Sequence, residues 1–266
     1  MSPRRLAILA VIATLVTACS GAAGRSSDSG RVALTVYAAS SLKGALGAAR
    51  TAYEAAFPGI ALTIATDASS TLRTQIEQGA PADLFLSADQ SNPKKLVDAG
   101  LTDGPAVDFA GNRLVLIVPT ANRAGISTPA DLARPGVKIV AAGADVPITT
   151  YAAQVVASLA ALPGYPAGFA AAYDANVVSK EDNVKAVVAK LELGEGDAAI
   201  VYVTDARASS RVRPVEIPAT ADVPVTYAAV VVKASTQGAA ARAFMAWLAG
   251  PDGQAVLATF GFLPLP

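Results

Sequence analysis

Two short stretches of similar sequence suggest where this chain does its chemistry: residues 37–42 read YAASSL and residues 67–72 read DASSTL. Each stretch follows an apolar run typical of a strand and precedes a helical pattern. A serine at such a corner can offer both its hydroxyl and its backbone N–H to an anion at a helix N-terminus. One corner alone usually means only a helix cap. Two in consecutive strand–helix units predict helix starts that converge on one point.

The residue types that the sequence lacks restrict its catalytic chemistry. With no histidine and one cysteine, the chain cannot form Ser-His-Asp or Cys-His catalytic sites or the common zinc sites. Ser40 and Lys43 match the S-x-x-K pattern of penicillin-binding enzymes, but the partner motifs S-D-N and K-T-G are absent. An acyl-enzyme is therefore kept only as an alternative. Asp83 and Asp89 flank an apolar run, where we expect them to cap a strand rather than to bind a metal ion.

The N-terminal segment is typical of an exported protein. Residues 1–18 predict a signal peptide, because two arginines precede an apolar run that is too short to span a bilayer. The run ends in Leu-Val-Thr-Ala-Cys, which is similar to a bacterial lipobox, so we expect Cys19 to be lipidated. A plain signal peptide that contains Cys19 by chance is the alternative. Residues 19–31 would then tether an extracytoplasmic protein to the cell membrane through its lipid anchor.

The composition predicts a globular protein with a core of small side chains. Hydrophobic residues make up 53% of the chain, charged residues 16% and aromatic residues 6%. Its length of 266 residues allows one large domain or two of medium size. The chain has no basic run with interleaved aromatic residues, so we do not expect it to bind nucleic acid.

From residue 32 onward the pattern alternates between strands and helices. It predicts strands over 32–36, 60–64, 83–87, 114–118, 137–141, 177–178, 198–203 and 225–232. It predicts helices over 43–57, 71–78, 94–99, 149–162, 184–193, 238–248 and 252–259, and a short one that begins at Asp131. The unbroken apolar run at 114–118 is typical of a parallel sheet covered on both faces. The predicted fold class is α/β, with two α/β halves.

Five motifs, in order, resemble the periplasmic molybdate-binding proteins of ABC transporters. They are AASSL, ASSTLRTQIEQGAPADLFLSAD, GNRLVLIVP, AIVYVTDA and GFLP, and the second is the most specific. The resemblance implies the fold of type II periplasmic binding proteins: two doubly wound α/β lobes joined by crossing strands, with the ligand in the cleft. Lobe 1 would comprise residues 32–114 and 225–266, and lobe 2 would comprise residues 115–224.

The same resemblance implies which residues bind the oxyanion. Ser41 and Ser69 would each supply a hydroxyl and a backbone amide. Ile148 and Val184 would each supply a backbone amide, and Tyr202 would supply its phenol. The family often has a small residue where Ile148 stands. Because only the backbone donates there, this difference bears on the shape of the cleft more than on the hydrogen bond.

Seven uncharged donors can hold a doubly negative anion without a lysine or an arginine. Hydrogen bonds to a charged acceptor contribute about 1.5–3 kcal/mol each, which offsets the loss of hydration. None of the five positions is a carboxylate, so a ligand oxygen that carries a hydrogen would find no acceptor among them. Fully deprotonated oxyanions such as molybdate, tungstate and sulfate are therefore favoured, bound without metal-cation ligands. The sequence leaves open whether Ser40 and Ser70 also contact the ligand.

The function implied by the resemblance is that of a receptor, not an enzyme. It would capture molybdate, and also tungstate, and deliver it to an ABC transporter permease and its ATPase. We expect a monomer that needs no cofactor. A receptor for sulfate or another tetrahedral oxyanion is the alternative. An amino-acid or sugar receptor is disfavoured, because the site positions show neither an arginine–acid pair nor stacked aromatic residues.

Overall fold

Residues 31–265 are the part of the chain that the computed structural model describes. The predicted signal peptide, Cys19 and all but the last residue of the predicted tether lie outside these residues. The strands are β1 (Val32–Ala39), β2 (Ile60–Asp67), β3 (Leu84–Ser87), β4 (Val107–Asn112), β5 (Leu114–Pro119), β6 (Ile139–Ala142), β7 (Val177–Glu181), β8 (Ala199–Tyr202), β9 (Val212–Val215) and β10 (Val225–Val231). The helices are α1 (Lys43–Ala56), α2 (Ser69–Glu77), α3 (Ser91–Asp98), α4 (Pro147–Ala160), α5 (Phe169–Ala175), α6 (Val184–Glu192), α7 (Val203–Arg207), α8 (Gly238–Ala249) and α9 (Pro251–Thr259).

The largest sheet has five strands in the order β2-β1-β3-β10-β4. Strand β1 pairs in parallel with β2 and β3, as the strand–helix alternation predicts. Strand β10 comes back from the other half of the chain and pairs antiparallel with β3 and β4. These five strands and the helices α1–α3, α8 and α9 are called lobe 1 below.

The second group of strands corrects the prediction for residues 114–118. Strand β5 is buried along this run, but it pairs antiparallel with both β8 and β9 rather than in parallel. An unbroken apolar run reports burial on both faces, which does not by itself fix the direction of the neighbouring strands. Strands β6 and β7 pair in parallel, and a bridge between Ile139 and Ala198 connects them to the segment before β8. Strands β5–β9 with helices α4–α7 are called lobe 2 below.

Several predicted helices begin earlier than expected. Helix α2 begins at Ser69 rather than residue 71, and α4 begins at Pro147 rather than residue 149. The prediction relied on apolar periodicity, which begins only after the first residues of a helix. Serine and proline are favoured at the very start of a helix, so the helices begin at these residues instead. The segment at Asp131 forms a short 3₁₀ helix, Pro129–Ala133, with a capping box between Thr128 and Asp131 at its N-terminus.

Four of these strands and helices were not predicted, namely β4, β9, α5 and α7. Strand β4 contains a glycine and an aspartate, and β9 contains a proline, so neither has the composition of a typical strand. The predicted strand at 198–203 ends one residue early, because Val203 is the first residue of α7.

The chain crosses between the two lobes twice. It passes from β4 to β5 through Arg113, and it returns to β10 after Asp222. The two crossings lie side by side, since the Arg113 Nη1 is 3.8 Å from Asp222 Oδ2. The Arg113 carbonyl also accepts a hydrogen bond of 2.9 Å from the Val203 N–H, at the start of α7. The crossing is thus held directly against the end of β8.

Candidate functional site

All five residues predicted to bind the oxyanion line one small cavity between the lobes. Ser41 and Ser69 come from lobe 1, and Ile148, Val184 and Tyr202 come from lobe 2. The cavity measures about 10 Å³, close to the smallest volume that holds one water molecule. The rest of its lining consists of Ala39, Ser40, Asp67, Ala68, Ala88, Val146 and Pro147.

The serines lie at the carboxyl edge of the parallel strands of lobe 1. Ser41 follows β1 in a 3₁₀ turn that leads into α1, and Ser69 follows β2 as the first residue of α2. Both are buried, and the two strand–helix corners face the same cavity. Ser40 also lines this cavity, whereas Ser70 lies on the adjoining surface cleft.

Ser69 has one hydrogen-bond role already fixed by the protein. Its Oγ accepts a bond of 3.0 Å from the backbone N–H of Ala88, which follows β3. A backbone N–H can only donate, so the Ser69 hydroxyl keeps its own hydrogen for another acceptor. The residue is 1% exposed and it lines the cavity, so an acceptor inside the cavity would satisfy it.

Helix N-termini bring backbone amides to the same place. Helices α2 and α4 begin at the cavity, and no side chain caps either of them. The first amides of a helix have no partner within the helix, and they carry its partial positive charge. Ile148 is the second residue of α4, and Val184 is the first residue of α6. Their N–H groups therefore belong to the first turns of α4 and α6. Such amides suit an anion.

Tyr202 supplies a buried hydroxyl that no described residue satisfies. The side chain is 1% exposed, and its Oη has no hydrogen-bond partner within residues 31–265. Burial raises the pKa of Tyr202 well above its ordinary value, and the nearby Tyr227 and Tyr151 hydroxyls raise it further. The hydroxyl therefore keeps its hydrogen and can act as a donor. A buried polar group without a partner costs about 1–3 kcal/mol, so the site is suited to an acceptor that is not part of the protein.

The charges around the cavity include a carboxylate that the sequence reasoning missed. Asp67 lines the cavity at the end of β2, and no lysine or arginine lines it. One oxygen of Asp67, Oδ1, accepts bonds of 2.8 Å from the Ala68 N–H and 3.0 Å from Asn183 Nδ2. The second bond joins the two lobes across the cavity. Asp67 is the first letter of the DASSTL stretch, so its position was visible in the sequence although its role was not.

A buried ion pair connects the two lobe 2 elements that reach the cavity. Asp205 in α7 is fully buried, and the Lys185 Nζ in α6 lies 2.8 Å from its Oδ1. At this distance the Lys185 ammonium makes a charge-assisted contact with Oδ1, while Oδ2 has no hydrogen-bond partner within the described part of the chain. Burial raises the pKa of Asp205, and Lys185 opposes that shift. The pair fixes the start of α6, with Val184, relative to the end of β8, with Tyr202.

The alternative chemistries gain no support from the geometry. Lys43 does not line the cavity that Ser40 lines. Asp83 accepts bonds from the Thr35 N–H and the Ser235 hydroxyl, and Asp89 accepts from side chains and a backbone N–H just after β3. No group of three acidic, histidine or cysteine side chains that could hold a metal ion occurs within residues 31–265. Both aspartates thus act at the ends of a strand, as predicted.

Comparison with known proteins places the chain in a family. A family model described as bacterial extracellular solute-binding protein matches residues 34–263. The chain belongs to this family.

Other members of the solute-binding protein family align over almost the whole chain. The molybdate-binding protein ModA of Mycobacterium tuberculosis H37Rv is 32% identical over 260 residues, which cover 96% of this chain and 95% of that protein. ModA of Escherichia coli K12 is 32% identical over 248 residues, covering 88% and 90% of the two chains. The family resemblance predicted from the motifs is therefore confirmed.

Solved structures of solute-binding proteins share the fold. The periplasmic molybdate-binding protein of Azotobacter vinelandii superposes with a TM-score of 0.73 at 25% identity, over 88% of this chain and 99% of that one. The sulfate-binding protein SubI of Mycobacterium tuberculosis gives 0.77 at 22% identity, over 88% of each chain, which shows the fold alone. The predicted fold class is confirmed. No helix within residues 31–265 has the length and apolarity needed to cross a bilayer.

Proposed function

We propose that this chain is an extracytoplasmic receptor that captures molybdate, and also tungstate, for an ABC transporter. The observation that carries the proposal is the unsatisfied Tyr202 hydroxyl, which faces the uncapped helix starts and the serines across one cavity. The relatives named for molybdate binding, which align over most of the chain, support the choice of ligand.

The binding mechanism relies on neutral donors from both lobes. The hydroxyls and amides of Ser41 and Ser69, the amides of Ile148 and Val184 and the phenol of Tyr202 would surround the tetrahedral anion. Each bond to a doubly charged acceptor contributes about 1.5–3 kcal/mol, so the set can offset the loss of hydration. Since the donors belong to both lobes, the ligand would favour the form in which the lobes approach each other. No bond of the ligand is made or broken, and no cofactor is needed.

Selectivity follows from how few acceptors the site offers. A fully deprotonated oxyanion can accept from every donor, whereas hydrogen phosphate must also place a hydrogen. Asp67 is the carboxylate in the lining, and its Oδ1 already accepts two hydrogen bonds, which leaves its Oδ2 as the carboxylate oxygen that could accept a ligand hydrogen. The negative charge of this carboxylate opposes every doubly charged oxyanion alike, so it does not distinguish molybdate from tungstate or sulfate. Molybdate, tungstate and sulfate therefore compete mainly by size.

A thermal-shift series on the mature domain tests this proposal. A ligand that binds only the folded state raises the melting temperature with its concentration. We expect molybdate and tungstate to raise it strongly, and sulfate and phosphate to raise it little. A shift with sulfate alone would favour the sulfate receptor instead, and no shift with any oxyanion would refute an oxyanion receptor. The remaining parts of the proposal are a monomer, the lipid anchor at Cys19 and delivery to a permease and its ATPase.

A further inference from the structure

A buried chain of hydrogen bonds lies directly behind Ser41. Ser41 Oγ is 2.9 Å from Tyr227 Oη on β10, and Asn112 Nδ2 at the end of β4 is 3.3 Å from the same Oη. Asn112 Nδ2 also donates to Thr204 Oγ1 at 3.0 Å, in α7 of lobe 2. All four side chains are buried, but among them only Ser41 lines the cavity.

One backbone contact fixes which group donates in each hydrogen bond between Asn112, Tyr227 and Ser41. The Arg113 N–H donates to Asn112 Oδ1 at 2.9 Å. A backbone N–H cannot accept, so this contact orients the Asn112 amide and leaves Nδ2, a pure donor, facing Tyr227. Tyr227 Oη therefore accepts from Asn112, and its single hydrogen is directed to Ser41 Oγ. Ser41 becomes an acceptor toward the protein.

The consequence for Ser41 is that its own hydrogen must leave in another direction. Within residues 31–265 its Oγ makes a hydrogen bond with Tyr227 only. Its hydroxyl hydrogen is therefore available to the cavity. The same holds for Ser69, whose Oγ accepts from the Ala88 N–H and whose hydrogen is likewise left for the cavity. A ligand oxygen that carries a hydrogen is a weaker acceptor for the Ser41 hydrogen than a charged ligand oxygen is.

We propose that Tyr227 is a positioning residue for the oxyanion, which commits the Ser41 hydroxyl to donate into the cavity. This inference rests on the proposed function and names a determinant of it: the relay from Asn112 through Tyr227 to Ser41 makes Ser41 a donor, which favours charged ligand oxygens. Tyr227 itself does not touch the ligand. Because Asn112 also holds Thr204, two residues after Tyr202, the relay is anchored to both lobes.

The test is a double-mutant cycle between Tyr227→Phe and Ser41→Ala, with molybdate affinity measured by calorimetry. Phenylalanine keeps the ring that packs edge-on against Tyr202 and Phe262, at centroid distances of 5.8 and 5.3 Å. In the wild-type background we expect Tyr227→Phe to raise the Kd about 5-fold. In the Ser41→Ala background the same substitution should change the Kd less than about 2-fold, because the hydroxyl that it directs is gone.

A buried tyrosine away from the cavity provides the matched control. Tyr173→Phe in α5 should leave the Kd unchanged in both backgrounds. An equal loss of molybdate affinity for Tyr227→Phe in both backgrounds would mean that the hydroxyl acts through packing and not through Ser41. No loss in the wild-type background would mean that the hydroxyl has no effect on binding. Either result overturns the inference while molybdate binding stands. A wild-type protein that binds no molybdate overturns the proposed function and this inference with it.

Discussion

At the residue scale, the hydroxyl of Tyr202 is predicted to contribute to ligand affinity but not to the stability of the ligand-free protein. We expect Tyr202→Phe to weaken molybdate binding about 10-fold, since the ligand loses one donor worth about 1–3 kcal/mol. The ligand-free variant should be as stable as the wild type, or more stable by up to about 1 kcal/mol, because it no longer buries an unpaired hydroxyl. Calorimetric titration gives the affinity, and urea denaturation without ligand gives the stability.

Ser69→Ala provides the contrasting variant. It also removes a donor to the ligand, but it leaves the buried Ala88 N–H without its acceptor. We therefore expect it to lose affinity and about 1–3 kcal/mol of stability together. A Tyr202→Phe protein that loses as much ligand-free stability as Ser69→Ala would contradict the role given to the phenol.

The sequence predicted individual site residues to different extents. Ser41 and Ser69 could be found because two similar polar stretches follow consecutive apolar runs. Ile148 and Val184 would act through the backbone, which leaves no mark on residue type, so only the family resemblance indicated them. Tyr227 was missed because its partner Ser41 is 186 positions away, and no local pattern records such a pairing.

At the scale of elements, the start of α6 serves two purposes through one side chain. Asn183 Oδ1 caps the helix by accepting from the Ala186 N–H at 3.1 Å, and its Nδ2 donates to Asp67 across the cavity. The cap uses the oxygen and the contact between the lobes uses the nitrogen. The two functions can therefore be separated by substitution.

Asn183→Asp is predicted to keep the helix cap and to oppose closure of the cleft. Aspartate caps a helix as well as asparagine does, but it would place a second carboxylate about 3 Å from Asp67. We expect molybdate affinity to fall about 10-fold or more, because a bond to a charged group is replaced by repulsion. Small-angle scattering of the ligand-free variant should show a larger radius of gyration than that of the wild type.

Asn183→Ser is the control for this substitution. Serine also caps the helix but brings no second charge, so its loss of affinity should be the smaller of the two. Wild-type affinity in the aspartate variant would show that the contact with Asp67 does not help to close the cleft.

The order of the elements was easier to predict than their pairing. Alternation of apolar runs with helical patterns located most strands and helices, because each reflects a local period. The antiparallel directions of β5 and β10 depend on how distant parts of the chain return, which the apolar run of residues 114–118 does not encode. Strands β4 and β9 were not predicted, because they are strands by virtue of hydrogen bonding to a neighbouring strand rather than by composition.

At the scale of the whole molecule, we propose that the N-terminal segment determines where the receptor works. Cys19 lies outside the described residues, and its lipidation rests on the lipobox-like sequence. We expect Cys19→Ser to move the protein from the membrane fraction to the soluble extracytoplasmic fraction, since the acyl chains would be lost. Immunoblotting of fractionated cells measures this, with the substitution Ser210→Ala at an exposed position as the control. A Cys19→Ser protein that still sediments with membranes would argue against the anchor.

The small volume between the lobes also has a kinetic consequence. A space of about 10 Å³, enough for roughly one water molecule, is too small to hold a five-atom anion while the surrounding helices stay in place. Entry and escape must therefore wait for the lobes to swing apart about the paired crossings at Arg113 and Asp222. The residence time of the cargo would be set by the frequency of that swing, so a permease that holds the lobes apart could unload the receptor by separating the donors of lobe 1 from those of lobe 2.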